Sequence, residues 1–297
     1  KAWAVRPSVL PNALYPDLWL TERGLEALNR MPIERPWLLW ISFVGPHEPF
    51  DTPAPWNSNN QHQTPEPSPQ GKWIKQLPPN CELQKAQQRW RGRLTREAIK
   101  ACRQDYANNL QLLDNQLQRL LDALSDRIDK DQTAIAIASD HGEMLGDHDM
   151  LYKGTFLEES IRVPFQYCPP PGLKNRQRTL QKPLGLTEVF STMLNNLTEG
   201  GEAKKFAQEI KKNRHICVEF GEELLIIKNN RKLCCRLSGE ALWATHLHQD
   251  PQEQINQIAV NPKLLQQKAN WAALARISEQ ELQKRKKSDW QLHNCSI

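Results

Sequence analysis

The stretch Thr133–Ser139, TAIAIAS, consists of small and β-branched side chains and ends at the polar pair Asp140-His141. A run of this kind suits a short strand covered on both faces, since it lacks the apolar-polar alternation of a half-solvated strand. Immediately upstream, Ile99, Cys102, Tyr106, Leu110, Leu113, Leu117, Leu120, Leu121 and Leu124 step mostly by threes and fours between Thr95 and Arg127. That spacing predicts a long amphipathic helix whose apolar stripe packs on a sheet. The same order occurs earlier in the chain. Leu25, Leu28 and Met31 recur at helical spacing in GLEALNRM, and Trp37–Val44, WLLWISFV, is an apolar run of strand length. Helix followed by buried strand, twice over, predicts an α/β domain with a mostly parallel central sheet flanked by helices.

Between the two helix-strand pairs, residues 51–80 are dominated by Pro, Gln, Asn and Ser and show no period, as expected of a lid-like loop. After Pro164 come one more short strand, a proline turn at 169–171 and a helical stretch, TEVFSTMLNNL. The composition then changes. HICVEF, ELLIIK, KLCCRL and ALWATHL are four short β-type runs, with Asn229-Asn230 as the turn between the second and third. They predict a small antiparallel meander, one face of it covered by a final helix from about Pro262 to Lys287. The expected division is therefore an α/β domain over 1–213, with 51–80 as its lid, and an antiparallel sheet plus helix over 214–297.

Composition narrows the function classes. Hydrophobic residues make up 39% of the 297, and no stretch approaches the roughly 18 apolar residues a membrane span needs. The formal charge of +5, from 39 basic and 34 acidic residues, is mild. Its basic clusters, Lys204-Lys205, Lys211-Lys212-Arg214 and Lys284–Lys287, lack the aromatic interleaving or module of a nucleic-acid binder and read as solvated faces. Seven cysteines, an odd number without any C-x-x-C pair, disfavour a zinc site or a complete disulfide framework and suit reduced structural thiols.

The chemistry-bearing residues fall at strand ends. Asp140 and His141 follow TAIAIAS, and His47 follows WLLWISFV by three residues, in GPHEPF. In open α/β sheets the carboxyl edge is where loops converge and ligands bind. A carboxylate beside an imidazole offers two ligands to a divalent cation, fewer than calcium or magnesium requires, so further ligands must come from elsewhere. Taken alone, Asp140 reads equally well as a turn residue. Lys153 precedes Gly154, and Thr155-Phe156-Leu157-Glu158 has capping-box spacing, which predicts a helix starting at Thr155. An ammonium beside exposed backbone donors at a helix start suits an anionic group such as sulfate or phosphate; the plain alternative is a surface lysine. His47, held between prolines, is either a structural histidine or a donor of a proton to a departing oxygen.

Together these residues resemble the sulfatase family of the alkaline-phosphatase superfamily. The resemblance is carried by SFVGPHEPFDTPAPW, by DYANNLQLLDNQLQRLLDAL, by IASDHGEMLGDHDMLYKGTFLEESIRVPF and by GLTEVFSTML, with the tail and its HLHQDPQEQINQIAVNP similar to the family's small C-terminal subdomain. It implies that Asp140 and His141 are two ligands of an active-site divalent metal, commonly calcium, with magnesium, manganese or zinc as alternatives. It also implies that His47 contacts the sulfate ester and protonates the leaving oxygen, and that Lys153 binds the sulfate oxygens. His148 has no firm counterpart and is expected to pack or support.

The resemblance has a gap. The family's nucleophile is a formylglycine made from the Cys or Ser of a C/S-x-P-S-R motif, and no such motif occurs in these residues; Cys81 lies in PNCELQ, Cys102 in KACRQDY, and RPSVLP lacks the placed nucleophile and arginine. The paired aspartates of the family's first strand are also absent. The chain therefore resembles the C-terminal half to two thirds of a sulfatase. The expected function is hydrolysis of a small-molecule or sugar sulfate ester by the complete protein, with the formylglycine in the N-terminal part and the isolated chain inactive. Phosphonate monoester or phosphodiester hydrolysis is the enzymatic alternative, and a non-catalytic remnant or interaction module the other.

Overall fold

The computed structural model describes residues 5–58, 64–67, 71–170, 184–186 and 215–294, with side chains described as far as 284. The expected helix TEVFSTMLNNL and the basic clusters at 204–214 lie outside these residues. The chain divides into two compact units that interleave along the sequence. One comprises Lys1–Pro67, Gly92–Ala138 and Pro164–Gly172; the other comprises Ser68–Arg91, Ser139–Val163 and Leu173–Ile297. No helix among the described residues is long and apolar enough to cross a membrane.

In the first unit, helix α1 (Pro16–Arg30) begins with a proline at its first turn, where the missing N–H costs nothing. A second helix of this unit, α3 (Arg96–Ser125), is capped by Thr95, whose hydroxyl oxygen accepts from Ala98 N at 3.2 Å. The two helices pack together through Gly24, where a Cβ would come within 2.8 Å of Ile41 Cδ1 and 3.2 Å of Leu120 Cδ2. Trp37, Leu39, Ile41 and Phe43 are therefore half-buried on one side of the extended segment 37–44, while Leu38, Trp40 and Val44 are exposed on the other. Arg127 ties the ends of the helices together. Its guanidinium donates to Asp129 (2.8 Å) and to the carbonyls of Leu28 (2.7 Å) and Met31 (3.2 Å), and lies 5.4 Å from the Trp37 ring centroid. Arg127 and then Trp37 Nε1, a second donor, hold the Asp129 carboxyl down at about 2.

The sheet of this unit departs from the expectation in detail. Strand β1 (Ile135–Ala138) pairs antiparallel with β2 (Phe165–Cys168), in register Ile135↔Cys168 to Ala138↔Phe165. Segment 36–44 has no hydrogen-bonded strand partner among the described residues. Both β1 and β2 alternate half-buried with exposed positions, so the side of β1 carrying Ala136 and Ala138 is open. An Ile-Ala alternation conceals this, because alanine is as compatible with a covered face as with an open one.

The second unit holds α2 (Glu82–Trp90), the short α4 (Glu158–Ile161) and the predicted meander. Its strands are β3 (Ile216–Phe220), β4 (Glu223–Lys228), β5 (Arg231–Arg236) and β6 (Ala241–His246), antiparallel in the order β3-β4-β5-β6. Asn229 and Asn230 have φ of 50° and 60°, the left-handed pair that a two-residue hairpin turn requires and that asparagine tolerates. A short helix α5 (Gln257–Val260) comes first, and the expected final helix is two, α6 (Leu264–Gln267) and α7 (Ala269–Asn294). Asn261-Pro262 ends α5, since the residue before proline is driven out of the helical region. Leu224, Ile226, Leu233, Cys235 and Ala244 from the sheet meet Leu264, Trp271, Leu274 and Leu282 from the helices in one apolar core.

Part of the lid-like stretch is core. Trp73, Ile74 and Leu77 are buried in this unit, the Trp73 ring lies 5.7 Å from that of Trp243, and Trp73 Nε1 donates to Glu253 O at 3.0 Å. Three apolar residues around one 3₁₀ turn (Lys72–Gln76) are too few to register as a period.

Candidate active site

Directly after β1 the chain turns through Ser139–Gly142. Ser139 Oγ donates to His141 O at 2.7 Å, and Asp140 Oδ1 accepts from His141 N at 2.9 Å. His141 Nδ1 lies 2.9 Å from Gly142 O, which places the ring hydrogen on Nδ1, because a carbonyl can only accept. In the neutral ring, the form that binds a metal, Nε2 then carries the lone pair, and it lies 3.8 Å from Asp140 Oδ2. Two electron-pair donors at that separation fit one divalent cation with ligand bonds of about 2.0–2.5 Å. A metal-binding histidine characteristically gives its other N–H to a carbonyl in this manner. The Asp140 side chain is 87% exposed, so an ion there would find water for its remaining positions. Gly142 N donates to Ser160 O at 2.8 Å, and a Cβ at Gly142 would collide with the Glu159 carbonyl, so the turn passes closely against α4.

The loop that follows is held by Glu143, a residue the sequence reading overlooked. Its Oε1 accepts from Leu145 N at 3.3 Å and from Tyr152 N, while Met144 N donates to Tyr152 O at 2.9 Å. Leu145, His148, Asp149 and Tyr152 all have positive φ, between 45° and 71°. Such backbone costs of order 1–3 kcal/mol per residue and persists where surrounding contacts enforce it. One enforcing contact is His148, fully buried, whose Nδ1 accepts from Gly71 N at 3.4 Å. Burial lowers the pKa of His148 against the raising influence of Glu253, Asp147, Asp250 and Asp149, which keeps it a neutral acceptor. This agrees with the expected packing and support role.

Lys153 leaves this loop, but the helix start that was to assist it is different. The helix α4 begins at Glu158, and Thr155 Oγ1 accepts from Leu157 N at 3.3 Å instead of from a first-turn amide. The Glu158 amide donates to the Glu253 carboxylate at 2.8 Å, so that donor is spent inside the fold. The capping-box reading fails because buried Glu253 outcompetes Thr155 for the first turn. The expected help from a helix end is therefore lacking at Lys153.

His47 belongs to the first unit. Its Nδ1 lies 2.8 Å from Glu48 O and 3.2 Å from Glu48 Oε2, which again puts the hydrogen on Nδ1. The end of the extended segment before it is fixed by Asp17, which the sequence reading also missed. This buried carboxylate accepts from Val44 N at 2.6 Å and Gly45 N at 3.0 Å. Burial raises the Asp17 pKa and the two amides pull it back. A Cβ at Gly45 would run into Asn109 Oδ1 and Asp17 Oδ2. The available signal was Asp17 itself, an acid beside Pro16 at a helix start, with its partners 27 residues away in sequence.

The chain is similar to known proteins over much of its length. The arylsulfatase of Clostridium perfringens is 28% identical over 281 residues, which cover 86% of this chain and 56% of that protein. The choline-sulfatase of Rhizobium meliloti is 28% identical over 251 residues, 77% of this chain and 47% of that protein. The chain thus spans about half the length of these curated relatives. Among solved structures, the phosphonate monoester hydrolase of Silicibacter pomeroyi gives a TM-score of 0.75 at 18% identity, covering 96% of this chain and 65% of that one. That of Agrobacterium radiobacter gives 0.70 at 22%, covering 97% and 63%. These likenesses show the fold, an α/β domain shared with about two thirds of each of those chains. The family model for sulfatases matches residues 5–198, and the chain accordingly belongs to the sulfatase family.

Proposed function

We propose that this chain is the metal- and sulfate-binding part of a sulfuric ester hydrolase. The observation that carries the reading is the Asp140-His141 turn, in which the Nδ1–H bond to Gly142 O leaves Nε2 beside Asp140 Oδ2. Asp140 and His141 are assigned as metal ligands, with calcium preferred for the oxygen-rich shell that the remaining positions imply. When bound, the metal supplies positive charge against the charge that develops on the transferred group. Lys153 is assigned to the sulfate oxygens as a charge-assisted donor. His47, as an imidazolium whose Nδ1–H is held by Glu48, is assigned to pass its Nε2 proton to the departing oxygen and to remain as the neutral Nδ1–H ring. The nucleophile, a formylglycine, is assigned to polypeptide other than these 297 residues, and the chain by itself is then expected to be inactive. The likeness to two phosphonate monoester hydrolases supports a second reading, cleavage of a phosphonate monoester or phosphodiester at the same residues.

The test uses the protein with its nucleophile-bearing segment and compares aryl sulfate with aryl phosphonate bearing the same leaving group. A higher kcat/KM for the sulfate, lost in Asp140→Asn, is expected. A preference for the phosphonate reverses the two readings, and activity untouched by Asp140→Asn removes the assigned metal site.

A further inference from the structure

We propose that His215, Cys217 and Glu281 form a second metal site, for a thiophilic divalent transition metal of the zinc class, distinct from Asp140 and His141. One ring nitrogen, the thiol sulfur and one carboxylate oxygen all lie within 4.8 Å of one another. His215 immediately precedes β3 and Cys217 is its second residue, so their spacing of two puts both side chains on one face of the extended chain. Glu281 comes from α7, seven residues after Leu274 and three after Ser278, on the buried side of that helix. The three donors thus converge from an edge strand and the helix that covers the sheet, and all are partly shielded from solvent.

The geometry suits a small ion. With bonds of about 2.3 Å to sulfur and about 2.0–2.2 Å to nitrogen and oxygen, tetrahedral ligand atoms are separated by roughly 3.3–3.7 Å. His215 Nε2 and Glu281 Oε1 are already at 3.4 Å. Closing the sulfur onto them requires a shift of at most about 1.3 Å, within the reach of side-chain rotation. Three protein ligands leave the fourth position to water. The thiol selects against calcium and magnesium, which take oxygen, and for zinc or cobalt.

One contact opposes the ion. Lys284 Nζ lies 2.7 Å from Glu281 Oε1, and a cation there repels another. The Lys284 side chain is 70% exposed, so giving up the pair returns the ammonium to water at little cost, and a divalent ion displaces it. The absence of C-x-x-C spacing does not speak against the site, because Glu281 lies 64 residues beyond Cys217 in sequence and meets it only in the folded unit. Its role is structural. Among the described residues β3 pairs with β4 alone, and a metal bond would pin this strand to α7, stabilising the folded state by mass action.

The experiment strips the purified chain with a chelator, titrates cobalt(II), and reads the thiolate-to-cobalt charge-transfer absorption together with metal content after gel filtration. The expected result is a band saturating at one cobalt per chain. Its affinity falls at least about tenfold in His215→Gln, the scale reached even by residues that only support a ligand. The band disappears in Cys217→Ser and persists in Asp140→Asn/His141→Gln. Far-ultraviolet circular dichroism verifies that each variant is folded, and zinc is expected to raise the melting temperature of the unaltered chain but not of Cys217→Ser. No charge-transfer band, a band undiminished in Cys217→Ser, or a band lost with Asp140 and His141 overturns the proposal and leaves His215-Glu281-Lys284 as an ordinary charge cluster.

Discussion

Asp105 lies on α3 with its carboxylate accepting from Thr52 N at 3.3 Å and from Thr52 Oγ1 at 3.0 Å. Burial raises its pKa to about 6, the two Thr52 bonds oppose this, and the charge of Asp51 adds to it. The sign of the linkage follows. A carboxyl that holds its proton more tightly when folded favours the folded state at low pH, and that advantage disappears as pH rises from the unfolded value near 3.8 through about 6. Asn in its place could accept from Thr52 N through Oδ1 and donate to Thr52 Oγ1. Asp105→Asn is therefore expected to gain on the order of 1–3 kcal/mol over the unaltered protein between pH 4.5 and 7.5, read from denaturant midpoints at both pH values. Equal midpoint differences at the two pH values would remove Asp105 as a pH-dependent term. Residue identity made some positions legible in advance and left others hidden. Asp140-His141 and His148 stood out as letters, whereas Asp17, Glu143 and Asp105 are ordinary acids until folding brings backbone amides to them.

The element that joins most of the second unit is β5. Its Lys232 is fully buried, with Nζ 3.1 Å from Glu158 Oε1 on α4 and 2.9 Å from Glu253 Oε1. Glu253, 1% exposed, also accepts from Glu158 N at 2.8 Å and from Thr245 Oγ1 on β6 at 2.8 Å. One ammonium and one carboxylate thus hold a sheet edge, a neighbouring strand and the start of α4 in register. Removing one partner of a buried pair leaves the other charge without compensation. Lys232→Met is expected to cost about 3–5 kcal/mol in denaturant unfolding. Adding Glu253→Gln should recover part of that loss; a double variant no more stable than Lys232→Met alone would argue against the pairing. From sequence, β5 read as KLCCRL, and its strand assignment was legible because the flanking turns were. The buried lysine was not, since lysine in a strand ordinarily faces water.

For the molecule as a whole, one unusual surface is the side of segment 37–44 that carries Leu38, Trp40 and Val44, 72%, 70% and 52% exposed. An apolar row along an extended segment without a strand partner among the described residues invites self-association. Leu38→Lys/Trp40→Lys is expected to lower the associated fraction in light scattering at high concentration. Its melting temperature should stay within about 2 °C, because exposed substitutions away from packed features change stability little. Undiminished association would show that this row does not drive it. The sequence by itself determined the α/β class, the four-strand meander with its Asn-Asn turn, and the Asp140-His141 pair, because period, turn residues and adjacent letters are local properties. Only the tertiary structure decided that β1 pairs antiparallel, that Trp73 and Ile74 belong to a core, that Glu253 takes the α4 amide from Thr155, and that His215 and Cys217 meet Glu281. Each of these is a contact across many residues of chain, set by competition for burial and for hydrogen-bond donors that no local pattern records.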